Sequence, residues 1–464
     1  MKHERLGELL DGLDLRDGMC VSFHHHLRNG DKTLNLVMQA LHERGLKELH
    51  LMASALFPVH KPILPLIKDG TIADITTNYM NGPIAECLSN HGLKGSLTMQ
   101  THGGRARSIV EGDNVIDVAF IAAPAVDKAK NASGVHGKNA CGSLGYAIED
   151  SLYAKRKVLV TDNLVDTLED PQIQGDAIDD VLLVKTLGDA EGIMSGTLKI
   201  TKDPLGLKIA REALRLLQAL DVFEDGVSFQ SGAGGISLAI TKGFNDIMRE
   251  RGLKASFYSG GITRYHVDAL EGGLVDKLYD VQCFDDAAIE SLKKNANHHA
   301  ISASNYANPN NANRVIKDLD VVILGASEID TDFNVNVTTD SYGTIIGGSG
   351  GHSDTAEDAK LSVIVSPLLK ARTPLIRERV RTITTPGKHI DCLITERGIA
   401  INPKRRDLLE KLKDTRLPLF SIEELMAKAH AFTGKPKVSH PGDKIGVVES
   451  RHGSTLDNLY KKGD

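Results

Sequence analysis

The sequence predicts an α/β protein built from two related open α/β/α domains with a cleft between them. Two observations predict it: short apolar stretches alternate with amphipathic ones along most of the chain, and the pattern of the first half returns in the second. Such alternation marks a mostly parallel sheet with helical crossovers.

Taken in order, Leu6, Leu9, Leu10 and Leu13 fall at helical spacing and predict a short helix over residues 1–16. Residues 19–23 read as a strand, followed by the turn His24-His25-His26-Leu27-Arg28-Asn29-Gly30-Asp31 and a helix over 34–44 that Gly45 stops. Strands over 46–53, 72–76, 116–123 and 157–161 continue the alternation.

The plan then repeats. Val21-Ser22-Phe23 recurs as Val227-Ser228-Phe229, 206 residues on, and Lys68-Asp69-Gly70-Thr71-Ile72 is matched by Glu271-Gly272-Gly273-Leu274-Val275, 203 residues on. Asp117-Val118 with Asp127 is matched by Asp320-Val321 with Asp330, and Gly142-Ser143-Leu144-Gly145 by Gly348-Ser349-Gly350-Gly351. Four matches in one order at nearly one spacing indicate a duplication. The chain is therefore divided into domains at 1–200 and 201–464, joined near 195–206. Beyond 361 we expect a helical stretch, a strand over 390–395, a helix over 422–430, one strand over 445–449 and a mobile tail end.

Composition narrows the function. At 464 residues, 41% hydrophobic and 25% charged, the chain has the material for two or three ordinary cores. Its longest apolar run, 118–126, is interrupted by Pro124 and falls short of the roughly 20 residues of a membrane span. With no secretory leader, a cytoplasmic location is expected. Five cysteines, none in a Cys-x-x-Cys pair, argue against a disulfide framework and a structural zinc site. A net charge of −6 with no basic block offers nucleic acid no footprint.

The candidate site lies on turns after strands. Gly347-Gly348-Ser349-Gly350-Gly351 leaves backbone N–H groups bare, so Gly348, Ser349, Gly350 and Gly351 are read as an oxyanion loop, with His352 and Asp354 beside it. In Gln230-Ser231-Gly232-Ala233-Gly234-Gly235 a glycine turn precedes a helix and suits a phosphate or other anion. It matches neither the dinucleotide fingerprint nor a Walker loop. Arg28, Arg105, Arg107 and Arg264 stand on similar turns where a polycarboxylate is held bidentately, with His26 and His102 nearby. Three adjacent histidines on extended chain point to alternate sides, so His24-His25-His26 is not read as a metal site. Glu328 is the one spare carboxylate for a nucleophile or base. Asp330 and Asn334 share their placement with Asp127 and Asn131 and are read as structural.

Several long strings carry a resemblance over essentially the whole chain. They are Ser22-Phe23-His24-His25, His102-Gly103-Gly104-Arg105, Cys141 to Ile148, Phe229 to Gly235, Glu328 to Val337 and Ser349 to Ala356. They resemble the alpha subunits of bacterial citrate lyases. The resemblance implies the CoA-transferase fold and a citrate CoA-transferase activity: citrate replaces acetyl on a carrier thiol, giving citryl carrier and acetate. It implies an acyl carrier (gamma) subunit bearing a CoA-derived prosthetic group, for which free acetyl-CoA substitutes, a lyase (beta) subunit, and a homo-oligomeric assembly. More distant CoA-transferases use a glutamate nucleophile that falls on Arg264 here, which turns the expectation toward direct attack by citrate. Their CoA-binding turn resembles Gly232-Ala233-Gly234. A citramalate-specific transferase, a short-chain acyl-CoA transferase or hydrolase, and a non-catalytic carrier scaffold remain the alternatives.

Overall fold

The computed structural model describes residues 1–193, 198–436 and 440–463. The junction read at 195–206 lies partly outside the described residues. Two large sheets organise the chain. The first has ten strands in the order Lys2–His3, Asp180–Leu183, Arg156–Thr161, Val118–Ala122, Cys20–Phe23, Leu49–Ala53, Ile72–Thr77, Leu97–Met99, Lys444–Glu449 and Thr455–Tyr460. The second has eight: His298–Ala300, Val275–Cys283, Ala255–Ile262, Ser228–Ser231, Val321–Leu324, Leu361–Val365, Cys392–Thr395 and Gly398–Ile401. Each is parallel except for one antiparallel pair at an edge.

The reason is visible in the strands themselves. Val-Ala-Phe-Ile-Ala at 118–122 and Leu-Ser-Val-Ile-Val at 361–365 are buried throughout, as strands covered on both faces must be. Phe23 stacks on Phe120 at 5.8 Å in the first core, and Phe229 on Phe244 at 4.5 Å in the second.

The duplication holds in three dimensions. Cys20–Phe23, Leu49–Ala53, Ile72–Thr77 and Leu97–Met99 take the same sequential places in the first sheet as Ser228–Ser231, Ala255–Ile262, Val275–Cys283 and His298–Ala300 take in the second. A small three-stranded sheet accompanies each half: Leu164–Val165, Ala125–Asp127 and Ala132–Ser133, then Val335–Asn336, Glu328–Asp330 and Ile376–Arg377. The turns agree in detail. Asp127 Oδ1 accepts from Ala129 and Asn131 N–H, while Asp330 Oδ1 accepts from Asp332 and Asn334 N–H. Asn131 Oδ1 caps Gly175 N–H and Asn334 Oδ1 caps Gly387 N–H.

Three expectations are corrected. The start of the chain, read as helix, first gives a strand, Lys2–His3, and only then the helix Leu6–Asp11. The helical stretch expected after 361 is the strand Leu361–Val365, because its consecutive β-branched residues Val363, Ile364 and Val365 suit a strand buried on both faces better than a helix. The tail end is ordered: Thr455–Tyr460 pairs antiparallel with Lys444–Glu449, and Val447 and Val448 pair parallel with Thr98 and Met99. The hairpin thus belongs to the first sheet, although it follows the whole second half in sequence.

Candidate active site at the seam between the sheets

The two halves meet through their glycine loops, related by an approximate two-fold. Ala303 N–H donates to Gly145 O at 2.9 Å, and His102 N–H to Gly350 O at 2.9 Å. Next to each, a carboxylate crosses the seam to a helix start: Glu149 Oε1 accepts from Ser304 N–H at 2.8 Å and Asp354 Oδ2 from Gly103 N–H at 2.9 Å. Glycine is required by the closeness of approach. A Cβ at Gly348 would lie 2.2 Å from Asn78 O, and one at Gly145 2.4 Å from Ile301 O.

The halves differ where side chains face the seam. His24 in the first corresponds to Gln230 in the second, and Arg105 to Tyr306. Gln230 Nε2 donates to Tyr306 Oη at 2.7 Å and its Oε1 accepts from Ser259 Oγ at 2.8 Å, a neutral chain. The first half carries charge instead. Arg105 Nη2 reaches Asp150 Oδ2 at 2.9 Å and Ser22 Oγ at 2.8 Å, and His24 Nε2 donates to the same Asp150 oxygen at 2.9 Å. Burial alone would raise the Asp150 carboxyl, but Arg105 and His24 hold it well below the usual carboxylate range. Among the described residues His24 Nδ1, Arg105 Nε and His102 Nδ1 are buried without a hydrogen-bond partner.

Around this pair lies a stack of rings. Tyr146 sits 4.5 Å from His25, 4.4 Å from His102 and 5.7 Å from His26. His26 Nε2 accepts from Tyr146 N–H at 3.3 Å. His25 bridges the halves, taking Ser54 Oγ on Nδ1 and donating from Nε2 to Gln282 Oε1 at 3.1 Å. Burial pushes His25 and His26 well below the ordinary imidazole value, and burial with Arg105 nearby pushes His102 down to about 3. All three rings are neutral at pH 7. Arg28 also crosses, in a left-handed conformation at φ 47°: Nη2 donates to Cys283 O at 2.8 Å and its guanidinium lies 4.4 Å over the Phe284 ring. Burial lowers it to about 10, so it stays a cation.

The structure therefore brings His26, Arg28, His102, Arg105 and Gly350 into one region, with Gln230 and Gly351 joined to it through Tyr306, whose Oη lies 2.6 Å from a Cβ built at Gly351. Other expected residues lie differently. Arg264 is exposed at the first turn of the helix Arg264–Glu271 and lines an open groove with Glu271 and Glu290. Arg107 is held by Glu111 and Asp113 at 2.8 and 2.6 Å. His352 has both nitrogens engaged, Nε2 by Gly325 O and Nδ1 by Thr385 Oγ1, each at 2.8 Å. Glu328 is buried and receives Asn336, Ser341 and the Arg381 N–H, with Arg377 3.1 Å away. Ser349 Oγ accepts from Ser353 N–H, and Gly350 N–H is taken by Asn78 O. Gly232 and Gly234 have open space or ordinary contacts where a Cβ would stand, whereas Gly235 is covered by Lys199 and Thr201. Sequence reasoning missed Asp150, Tyr146 and Tyr306; only Tyr146 lay in a string already singled out.

Two open α/β halves meeting through glycine loops define a CoA-transferase-like protein. Solved structures share that fold at a distance, among them the alpha subunit of a malonate decarboxylase from Acinetobacter baumannii, TM-score 0.66 at 15% identity over 91% of this chain and 83% of that one. The family model described as citrate lyase, alpha subunit, matches residues 2–462. The citrate lyase alpha chain of Haemophilus influenzae is 43% identical over 461 residues, 99% of this chain and 92% of the relative. That of Escherichia coli is 43% identical over 458 residues, 98% and 90%. A solved citrate lyase alpha subunit from Streptococcus mutans, in complex with citrate, superposes with a TM-score of 0.97 at 41% identity, covering 100% of this chain and 91% of that one. The chain belongs to the citrate lyase alpha-subunit family. Among the described residues no helix is long and apolar enough to cross a membrane.

Proposed function

We propose that this chain is the transferase subunit of a multi-subunit citrate lyase, exchanging the acetyl group on a CoA-type carrier thiol for citrate and releasing acetate. The observation that carries this reading is the match, over nearly the full length of both chains, to citrate lyase alpha chains. A citrate carboxylate oxygen attacks the acetyl thioester carbonyl, and the thiolate leaves as an acetyl–citryl anhydride forms. The thiolate then attacks the citryl carbonyl, and acetate departs. No net proton is consumed.

Two features favour attack by citrate itself over a covalent glutamyl enzyme. Arg264 stands where distant CoA-transferases have their glutamate, and Glu328 is already engaged by three hydrogen-bond donors and an ion pair with Arg377. Arg28 and Arg105, with His26 and His102 as neutral partners, hold the citrate carboxylates. Since Gly350 N–H is taken, Ser349 and Gly351 N–H are the oxyanion donors. His352 braces the loop. Gly232 and Gly234 leave room for the pantetheine arm of the prosthetic group, which an acyl carrier subunit delivers in the cytoplasm; a lyase subunit consumes the citryl thioester.

The purified chain is expected to release acetate from acetyl-CoA only when citrate is present, and hydroxylamine trapping is expected to label no protein carboxylate. Acetate release without citrate would make it a hydrolase, and equal turnover with citramalate would remove the citrate assignment.

A further inference from the structure

The duplication supplies an internal comparison, because each small sheet borders a cleft and the two clefts are lined differently. In the first half Leu164–Val165 runs on through Thr167, Leu168 and Glu169 beside a cleft of about 1060 Å³. In the second, Ile376–Arg377 runs on through Arg379, Val380 and Arg381 beside a cavity of about 690 Å³. The register is fixed: Leu168 N–H donates to Asp127 Oδ2, and Val380 N–H to Asp330 Oδ2. Val165, Thr167 and Glu169 are thus replaced by Arg377, Arg379 and Arg381. A fold requirement would recur in both halves; this one does not.

The charges around the cavity can be followed group by group. Glu328 lies 3.1 Å from Arg377, Glu378 lies 4.0 Å from Lys435, and Asp457 Oδ2 accepts from Ile383 N–H at 2.9 Å. Arg379 is exposed at the cavity with no side-chain partner among the described residues, and His430 Nε2 is buried there without one. Tyr460, with Pro436 and Pro441, supplies an apolar wall.

We propose that this cavity binds a phosphate-bearing ligand of nucleotide size. Arg379 offers a whole guanidinium fork to this space, giving two charge-assisted hydrogen bonds to a phosphate, while Arg377, anchored on Glu328 and Ser341, and Arg381, bonded to Lys461 O, add positive charge at its wall. The volume falls within the range of small-molecule sites, and the Tyr460 wall suits a sugar or base. The cavity lies apart from the seam, and the binding measurements do not depend on the transferase reading; only the KM comparison rests on it.

Calorimetry on the full chain tests it, with ADP, inorganic phosphate and citrate as titrants. ADP is expected to bind, phosphate to compete with it, and Arg379→Ala to weaken ADP by about tenfold or more, the loss of charge-assisted hydrogen bonds, with the thermal melt unchanged. No binding of ADP or phosphate at millimolar concentration would overturn the proposal. So would an undiminished ADP affinity in Arg379→Ala, or citrate displacing ADP as well as phosphate does. The acetyl-CoA KM of the variant separates two sources of the same chemistry: a raised KM with kcat intact assigns the cavity to the nucleotide end of the thioester, and an unchanged KM assigns it to a free nucleotide.

Discussion

Asp354 carries a seam contact and a titration at once. Burial pushes its carboxyl up to about 7, although Thr101 and the Gly103 N–H pull the other way. A carboxyl whose folded value lies above its unfolded one contributes stability below about pH 4, and that contribution is lost as pH rises through about 7. Asp354→Asn keeps an acceptor for Gly103 without the charge. Its urea midpoint is expected to exceed that of the parent at pH 8 and to match or fall below it at pH 5. His102 acts in the opposite sense: with its value held down to about 3, its contribution is present above about pH 6.5 and is lost as pH falls. How far these residues were legible follows from their chemistry. Arg28, Arg105, His26 and His102 announced themselves as cationic or ionisable groups on glycine turns after strands. Asp150 did not, because a buried acid is defined by its partners, and Arg105 stands 45 residues away. The exposure of Arg264 was hidden for the same reason, since nothing local distinguishes a helix start that faces a cleft from one that faces a groove.

At the scale of elements, the loop 347–351 works through what it lacks. A methyl at Gly348 would meet Asn78 O at 2.2 Å, with backbone on both sides of the contact and no flexible side chain to yield. Gly348→Ala is therefore expected to shift the loop by an ångström or so, lowering kcat for citrate-dependent acetate release by about 10²-fold while circular dichroism stays that of the parent. A parental rate would remove the loop from the reaction. The strands expected over 19–23, 46–53, 72–76, 116–123 and 157–161 and the long helix Gly235–Arg251 were legible in their apolar runs and helical spacing. The duplication was legible too, and it explains why the glycines of both loops recur. The pairing of Lys444–Glu449 with Leu97–Met99 was not, since a sheet edge accepts any strand and leaves no mark in the sequence of either partner.

For the whole molecule, the terminal hairpin covers the Leu97–Met99 edge of the first sheet. A chain ending at Gly434 is expected to expose that edge and to elute from size exclusion as aggregate, where the parent gives a discrete species. The same hairpin ties together parts at opposite ends of the sequence. Arg451 closes the tie, its guanidinium on Asp358 at 2.6 Å and its carbonyl oxygen accepting from Arg107 Nε at 2.9 Å, so one residue touches both halves. During synthesis the consequence is one of order. The first sheet emerges with its edge strand bare, stays bare while the entire second half is made, and is finished only by strands that come last, so neither half reaches its final form before the other exists.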